Sequence, residues 1–288
     1  MVLTTPTERH VPRKRFGQHF LHDPGILARI VASVAPRPDD RIVEIGPGEG
    51  ALTLPLLRKA GHLTAIELDR DLIEPLRVKA QGVGELTIIS ADALTVDFGA
   101  LARGWPIRLG PSRPSMASGA LALLRIVGNL PYNISTPILF HCLEHAGAIE
   151  DMHFMLQKEV VDRMAAAPGS KTYGRLSVML QLRCTVEPLL HVPPGAFRPP
   201  PKVDSAVVRL VPLPAQQLPD VDFALVEKLV RAAFGQRRKT LSNALSDHAS
   251  AADIVAAGLD PRARAEQLAP EAYVALARVL SGARVACR

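Results

Sequence analysis

The sequence predicts an α/β protein built on a doubly wound parallel sheet, with a smaller helical domain after it. Two observations lead to this fold class. From Arg41 onward, short apolar strand patterns alternate with helical patterns, which is typical of sheets covered by helices on both faces. After Val192 the pattern changes to a proline-rich run, one apolar strand and then helices. We therefore expect one domain over residues 1–213 and a second, helical domain over residues 214–288.

The expected elements follow one another in a regular order. An amphipathic helix at Ile26–Val34 precedes the first strand. The expected strands are Arg41–Ile45, Leu63–Glu67, Leu86–Ser90, Leu124–Val127, Met152–Leu156 and Ala206–Val211. Helices are expected at Ala51–Ala60, Arg70–Lys79 and Pro137–Ala146, and again from about Asp222. Residues 103–123 contain Gly, Pro and several Ser and predict a surface loop before the fourth strand.

Composition and charge limit the classes of function. The formal net charge of +6 favours contact with phosphates or anionic surfaces. The three cysteines are far apart and have no Cys-x-x-Cys spacing, which argues against a disulfide framework or a zinc site. The first residues lack the apolar core of a signal peptide, and no apolar stretch is long enough to span a bilayer. The sequence therefore predicts a cytoplasmic protein without membrane contact.

A glycine-rich turn, Glu44–Gly50, joins the first strand to the following helix. Glycines let the backbone turn tightly and approach a ligand where a side chain would collide, so Gly46 and Gly48 are cofactor-binding candidates. Together with Ala51 the turn also satisfies Gly-x-Gly-x-x-Ala, so an NAD-dependent enzyme is an alternative at this point. A turn that is rich in glycine for its geometry alone is the other alternative.

Acidic residues end the next two strands. Glu67 ends the second strand, where a carboxylate can bind both ribose hydroxyls of a cofactor. Asp92 follows the third strand, where it can accept a hydrogen bond from the exocyclic amine of an adenine ring. Because ligands of doubly wound sheets bind at the carboxyl ends of the strands, both residues are expected to join the glycine turn in one site. A solvated strand end and an ordinary turn are the alternatives.

Chemistry is expected at Asn129-Leu130-Pro131-Tyr132, which follows the fourth strand. An exocyclic adenine amine is a poor nucleophile because its lone pair is delocalised into the ring. The Asn129 side-chain oxygen and the Pro131 carbonyl can accept its two N–H bonds and so direct the lone pair towards a methyl donor. Tyr132 offers a flat face on which the base can stack. The alternative is an Asn-Pro turn with a buried tyrosine.

Other kinds of catalysis are not indicated. The sequence shows no Ser-His-Asp or Cys-His arrangement. His141 and His145 lie four residues apart on one helix face but lack the intervening Glu of the zincin pattern, so we interpret them as surface or packing residues. Attack of an adenine amine on the methyl group of a sulfonium donor requires no metal ion, and the sequence predicts no metal site.

These motifs and their order resemble the small-subunit ribosomal RNA adenine dimethyltransferases, the KsgA-type family. The resemblance covers Arg13–Leu21, Glu44–Gly50, Ile66–Asp69, Gly128–Asn133, Phe154–Val160, Tyr173–Val178, Phe197–Ser205 and Phe234–Leu241. It implies a Rossmann-like class I methyltransferase sheet and S-adenosylmethionine as methyl donor. It also implies dimethylation of two adjacent adenosines in a hairpin loop near the 3′ end of small-subunit (16S) rRNA during ribosome assembly.

The resemblance further implies roles for single residues. The cofactor would be held by His19, Leu21, Gly46, Gly48, Glu67, Asp92 and Asn129. Phe197 would close the target base against Tyr132, with a core phenylalanine as the alternative reading. Many members of the family have Asn where this chain has His19, which leaves open whether that side chain contacts the cofactor. The 103–123 loop is also longer than is usual in the family.

Positive charge is concentrated in two segments. The basic residues expected to bind RNA are Arg13, Lys14 and Arg15 near the N-terminus and Arg237, Arg238 and Lys239 in the C-terminal domain. Such clusters can follow a phosphate backbone, while specificity is left to RNA shape and splayed loop bases. A solvated helix face is the alternative for the second cluster.

Three functions stay open on the sequence alone. The first is a small-subunit rRNA dimethyltransferase. Its expected partner is the small ribosomal subunit, and the enzyme itself is expected to be monomeric. The second is an adenine methyltransferase of another nucleic acid, either large-subunit rRNA or DNA. The third is a ribosome-assembly factor that keeps the fold without catalysis, against which the intact Asn129, Pro131 and Tyr132 argue.

Overall fold

The structure is a computed structural model that describes residues 19–38, 40–104 and 123–286, the side chains of residues 283–286 excepted. It has an α/β architecture centred on a seven-stranded sheet. None of the helices in these ranges is both long and apolar enough to cross a membrane. The predicted RNA-binding residues Arg13, Lys14 and Arg15 and most of the expected 103–123 loop lie outside the described residues.

Two compact units make up the chain. The first comprises Met1–Lys158 and Leu189–Arg209, and the second comprises Glu159–Pro188 and Leu210–Arg288. The last change of unit lies close to the domain boundary expected at residue 213. The grouping of Glu159–Pro188 with the C-terminal residues was not expected, because the sequence pattern places that segment between strands without marking a boundary.

Nine strands are present in the described ranges. In chain order they are β1 (Phe20–Leu21), β2 (Arg41–Ile45), β3 (His62–Glu67), β4 (Glu85–Ser90), β5 (Leu124–Asn129), β6 (Ile149–Gln157), β7 (Cys184–Val192), β8 (Phe197–Arg198) and β9 (Ser205–Pro212). The seven-stranded sheet has the order β4-β3-β2-β5-β6-β9-β7, and β1 pairs with β8 in a separate antiparallel ribbon. The neighbours from β4 to β6 are parallel, as expected.

The strand order reverses between β2 and β5. The chain runs outward from β2 through β3 to β4 and then returns to place β5 on the other side of β2. Such a topological switch point opens a crevice at the carboxyl ends of the two strands, where doubly wound proteins bind ligands. The crevice lies beside the glycine-rich turn after β2 and beside Asn129 at the end of β5.

Eleven α-helices are present in the described residues. They are α1 (Pro24–Val34), α2 (Thr53–Ala60), α3 (Arg70–Ala80), α4 (Phe98–Gly104), α5 (Ser135–Glu144), α6 (Lys158–Met164), α7 (Arg175–Gln181), α8 (Phe223–Gly235), α9 (Leu241–Ala244), α10 (Ala251–Ala256) and α11 (Pro270–Ala286). α1 begins with Pro24 after Asp23, whose carboxylate accepts a 2.8 Å hydrogen bond from the Ile26 amide. α8 follows Asp222, whose carboxylate accepts a 2.9 Å hydrogen bond from the Ala224 amide.

A buried ion cluster ties α1 to the sheet. The Arg125 guanidinium on β5 donates to Asp40 (2.7 Å), to both carboxylate oxygens of Asp151 on β6 (2.8 and 2.9 Å) and to the Val34 carbonyl (2.8 Å). Burial alone would raise the pKa of Asp151, but the hydrogen bonds and charge of Arg125, together with the charges of His153 and Arg209, outweigh burial and lower the pKa. The buried charges are therefore paired and hydrogen-bonded, as burial requires.

The second unit has an aromatic core. The Phe234 ring of α8 packs 5.9 Å from the ring of Tyr173 and 6.1 Å from the ring of Tyr273. Both buried tyrosine hydroxyls donate 2.9 Å hydrogen bonds to backbone carbonyls, those of Leu268 and Ala265. These bonds satisfy the polar ends of the rings and join α11 and Tyr173, just before α7, to residues 265–268.

Candidate active site

A cavity of about 280 Å³ lies at the switch point. Most of its lining comes from β1 and from the carboxyl ends of β2, β3, β4 and β5, with further residues from β6, β9 and neighbouring helices. Every cofactor-binding residue predicted from the sequence lines it, namely His19, Leu21, Gly46, Gly48, Glu67, Asp92 and Asn129, together with Pro131 and Tyr132. The structure thus places these strand ends around one cavity, while the site and the role of each residue stay predictions.

The glycine turn after β2 requires glycine at defined positions. Gly46 and Gly48 have φ angles of 68° and 56°, in the left-handed region that disfavours a side chain. A Cβ atom on Gly48 would also lie 3.0 Å from the Phe20 ring of β1. The turn thus leaves its backbone open towards the cavity while β1 packs against it.

The Glu67 carboxylate stabilises this turn. One of its oxygens accepts a 3.1 Å hydrogen bond from the Gly48 amide, and the other accepts a 2.8 Å bond from the Asp69 amide. Burial nevertheless raises the pKa of Glu67 above its ordinary value. Asp92 likewise accepts a bond from the Leu94 amide (3.0 Å) and begins a short 3₁₀ turn. Both carboxylates are oriented by the backbone before any ligand binds.

Asn129 and Tyr132 belong to the end of β5, which lies on one side of β2 in the sheet, whereas the two carboxylates belong to the ends of β3 and β4 on the other side. The Asn129 amide nitrogen donates a 2.9 Å hydrogen bond to the backbone oxygen of His19. The Tyr132 hydroxyl bonds the Ser205 hydroxyl at 2.7 Å, and burial raises the pKa of Tyr132. The ring of His19 stacks beside that of Tyr132, with 5.9 Å between their centroids.

Phe197 lies in the apolar core of the first unit. It pairs with Leu21 across the β1–β8 ribbon, is 2% exposed, and is not among the residues that line the cavity. The aromatic ring placed beside Tyr132 is instead that of His19. A role of Phe197 in closing the target base stays a prediction, and it would require the ring to leave its present packing.

Two functional candidates were missed. Glu44 and His153 are 2% and 3% exposed, both line the cavity, and the Glu44 Oε2 and both His153 ring nitrogens have no hydrogen-bond partner in the described structure. Burial raises the pKa of Glu44 to about 8 and lowers the pKa of His153 to about 4, so both groups are neutral at pH 7. Glu44 was noticed only as the start of the glycine turn, and a lone His in the apolar strand β6 gave no signal.

The charge of the lining separates two kinds of cofactor. Besides the neutral Glu44, four carboxyl residues line the cavity, and among the described residues neither Lys nor Arg does: Glu49, Glu67, Asp69 and Asp92. A nicotinamide dinucleotide carries an anionic pyrophosphate, which this lining repels. S-adenosylmethionine carries a sulfonium and an ammonium group, which it attracts. No group of three or more His, Cys, Asp or Glu in the described ranges could hold a metal ion.

In the second unit, the predicted basic residues differ in their contacts. The Arg237 guanidinium donates to the backbone oxygens of Lys171 and Tyr173 (3.2 Å each) and pairs with Glu266 at 3.4 Å. Arg238 and Lys239 are exposed, and within the described part of the chain neither has a hydrogen bond or ion pair from its side chain. Arg237 therefore holds the local structure together.

Two further exposed arginines, Arg262 and Arg264, adjoin this basic segment. The amides of Leu241 and Ser242 donate to the backbone oxygens of Ala263 (2.7 Å) and Pro261 (3.0 Å), which brings the 260–264 turn against the start of α9. The sequence did not show this proximity, because the two segments are separated by other elements of the chain.

A Rossmann-like sheet with an acidic cavity at its switch point defines a class I S-adenosylmethionine-dependent methyltransferase. Solved structures of this class are similar to the chain. A dimethyladenosine transferase from Plasmodium falciparum has a TM-score of 0.73 and 25% identity over 90% of this chain and 96% of that one. The 23S rRNA methyltransferase ErmE has a TM-score of 0.64 and 28% identity over 91% and 99%.

The chain belongs to the ribosomal RNA adenine dimethylase family, because the sequence model of that family matches residues 9–281. It is 60% identical to the ribosomal RNA small subunit methyltransferase A of Xanthomonas campestris pv. campestris, over 93% of this chain and 95% of the relative. The protein of the same name from Xanthomonas oryzae pv. oryzae is 58% identical over the same shares. The expected fold and enzyme class are thereby confirmed.

Proposed function

We propose that this enzyme dimethylates the N6 amines of two adjacent adenosines in a hairpin loop near the 3′ end of small-subunit rRNA during ribosome biogenesis. The observation that carries the proposal is one cavity that joins an acidic cofactor side to Asn129, Pro131 and Tyr132. The 60% identity to small subunit methyltransferases A supports the choice of RNA.

The residues present fit S-adenosylmethionine, which supplies an electrophilic methyl group on sulfur. Glu67 would bind the ribose hydroxyls and Asp92 the adenine amine, each through oxygen lone pairs not used by the backbone. Gly46 and Gly48 would leave room for the methionine part. The unpartnered Glu44 Oε2 at the base of the cavity would accept from the ammonium group, which favours the ionised carboxylate.

The target amine would be oriented by Asn129 and Pro131. Because the Asn129 nitrogen is bonded to the His19 backbone, its side-chain oxygen is left to accept one N–H bond of the adenine. The Pro131 carbonyl accepts from the Ile134 amide at 3.2 Å and keeps a second lone pair for the other N–H bond. These two acceptors hold the amine lone pair towards the methyl donor, and the displaced proton leaves to water.

The RNA backbone would be bound by Arg238 and Lys239, with Arg262 and Arg264 extending the same exposed basic segment. Arg13, Lys14 and Arg15 are proposed to add a second phosphate contact. Such contacts give affinity that falls as salt rises. The partner is then the small ribosomal subunit, met by a monomeric protein in the cytoplasm where subunits are assembled.

The test uses radiolabelled S-adenosylmethionine and small subunits that lack adenine dimethylation, with large subunits and duplex DNA as controls. We expect label only in small-subunit rRNA, recovered as dimethyladenosine and lost in Asn129→Ala. Label on another nucleic acid would keep the chemistry but refute the substrate. Binding of small subunits without any transfer would refute catalysis and leave an assembly factor.

A further inference from the structure

We propose that the imidazole of His19 serves the acceptor side of the cavity: it covers the stacking face of Tyr132 and swings away when the target adenine enters. The inference rests on the proposed function, because it takes the Tyr132 ring as the surface on which the adenine stacks. It assigns the main chain and the side chain of His19 to different tasks.

The spacing of the two rings carries the first step. The His19 and Tyr132 rings line the same cavity, with centroids 5.9 Å apart and planes inclined by 24°. Stacked bases are separated by about 3.4 Å, so an adenine held between two rings needs about 6.8 Å from ring to ring. The planes of the His19 and Tyr132 rings are no farther apart than their centroids, so the gap between them is at most 5.9 Å, which is too small for a base. A base that stacks on this face of Tyr132 therefore has to displace the imidazole.

The two rings are anchored unequally. The Tyr132 hydroxyl is bonded to Ser205 at 2.7 Å, and the ring is half-buried. The His19 ring is anchored through Nδ1, which lies 2.8 Å from the backbone oxygen of Pro199. Since a carbonyl oxygen only accepts, Nδ1 carries the hydrogen and donates it. Breaking that bond and rotating the side chain frees the imidazole, whereas Tyr132 stays in place.

The main chain of His19 has a separate contact. Its backbone oxygen accepts the 2.9 Å hydrogen bond from the Asn129 amide, which orients the predicted catalytic side chain. The next residue begins β1, and the antiparallel pairing of Phe20 with Arg198 holds this backbone in position. Substitution of the side chain therefore leaves the Asn129 contact intact, so the ring and the backbone can be tested apart.

The cover acts as a threshold for acceptors. Every adenine has to displace the same ring contact and the same hydrogen bond before it can stack. An adenosine positioned by many other RNA contacts overcomes that loss, whereas a loosely bound single-stranded adenosine does not. His19 would thus exclude weak acceptors rather than distinguish one base from another.

The experiment compares His19→Ala with His22→Ala. His22 is an exposed histidine three residues further on, outside the cavity lining, and is the matched control. Steady-state methylation would be measured on undermethylated small subunits and on a short single-stranded RNA with two adjacent adenosines. Binding of S-adenosylmethionine would be measured by calorimetry.

For His19→Ala we expect the KM for the short RNA to fall about three- to tenfold, the size of a lost aromatic contact and hydrogen bond. The dissociation constant of S-adenosylmethionine should stay within about twofold, and His22→Ala should match the wild type. His19→Phe keeps a ring but loses the donor to Pro199, so its KM should fall between the two. It also serves as the second variant if the alanine variant does not fold.

Two results would overturn the proposal. A higher KM for both acceptors in His19→Ala would make the imidazole a wall of the base site rather than a cover. A change confined to cofactor affinity would assign the ring to the cofactor side. Failure of the wild type to methylate small-subunit rRNA would refute the proposed function instead. In that case NMR would test the contact between the two rings. We expect the His19 ring protons to show a ring-current shift in the wild type that is lost in Tyr132→Ala.

Discussion

Two neighbouring rows of the central sheet contain buried ionisable groups in opposite states. In the first row, Arg125 on β5 and Asp151 on β6 are in register, and Arg125 donates hydrogen bonds to both Asp151 and Asp40. In the second row, two residues further along the strands, Glu44 and His153 flank Val127. The Glu44 Oε2 and both His153 ring nitrogens have no hydrogen-bond partner in the described structure, and His153 Nδ1 lies 3.8 Å from Asp151 Oδ1 of the first row. The first row stabilises the fold, whereas the second leaves hydrogen-bonding atoms unused beside the cavity.

The comparison teaches how to separate structure from function among buried polar residues. A buried polar group without a partner is costly, so its persistence beside a cavity indicates that something bound there satisfies it. Burial alone does not make this distinction, because all four side chains are less than 10% exposed. The hydrogen-bond partners make it.

The largest expected effect is from Arg125→Met, which would break the satisfied row. It would leave Asp40 and Asp151 buried without their cation, and loss of one member of a buried ion pair costs about 3–5 kcal/mol of unfolding free energy. Urea unfolding would measure the change. The control is Arg103→Met, since Arg103 is exposed and lies 3.9 Å from Asp97. Equal losses in the two variants would contradict the comparison.

Glu44→Gln should act in the opposite direction on the protein without ligand. The folded carboxyl has a pKa of about 8 and the unfolded one about 4.5, so the folded state retains a proton that the unfolded state releases. The unfolding free energy of the wild type therefore falls as pH rises between those values. Glutamine cannot ionise, so the variant should be about 1–3 kcal/mol more stable at pH 7.5.

The same substitution should weaken cofactor binding about tenfold or more, because it removes a carboxylate from a cationic ligand. Calorimetry in two buffers of different ionisation enthalpy would show proton release on binding to the wild type and none for Glu44→Gln. If Glu44→Gln bound S-adenosylmethionine as tightly as the wild type, Glu44 would not be a cofactor-binding residue.

His153→Leu is a test of the second row in acid. Burial lowers the folded pKa of His153 from 6.5 to about 4, so below pH 6.5 the unfolded state gains a proton that the folded state cannot accept. The wild type therefore loses stability as pH falls through this range, and the variant should be about 1–2 kcal/mol more stable at pH 5 but nearly unchanged at pH 7.5. A parallel loss at both pH values would show a packing role instead.

The smallest expected effects extend the comparison to Arg237 and Arg238. Arg237→Gln removes satisfied contacts and should lower the unfolding free energy by about 1 kcal/mol. Arg238→Gln should leave stability unchanged, weaken binding to small subunits two- to fivefold at low salt, and reduce the salt slope by about 0.7–0.9. Indistinguishable salt slopes for Arg238→Gln and the wild type would contradict the phosphate contact.

Much of the cofactor side could be predicted because each of its residues lies at or just after the end of a strand that the local sequence pattern already indicates. The parallel strands β2 to β6 and the lining by Gly46, Glu67 and Asp92 follow from alternation of apolar and polar patterns and from the switch-point rule. β7 was missed because Pro188 interrupts a strand whose pattern is only partly apolar, and the two-residue β8 was hidden in the proline-rich run.

What the sequence could not show depends on long-range contacts. The stacking of His19 on Tyr132, the unpartnered state of His153 and the contacts of Arg237 with Lys171 and Tyr173 all join segments that no local pattern connects. The same holds for Phe197, whose position in the core rather than in the cavity follows from its pairing with Leu21.

The β1–β8 ribbon has a consequence for how the protein is made. His19 and Pro199, whose side chain and backbone meet beside Tyr132, are separated by 180 positions in the chain. A nascent chain emerges from its N-terminus, so the loops after β2, β3 and β4 leave the ribosome long before the partner of β1 exists. Completion of the acceptor side then waits until Pro199 and Ser205 have been made, and a chain cut before Pro193 would keep the His19 ring but lack the Pro199 oxygen to which it is bonded.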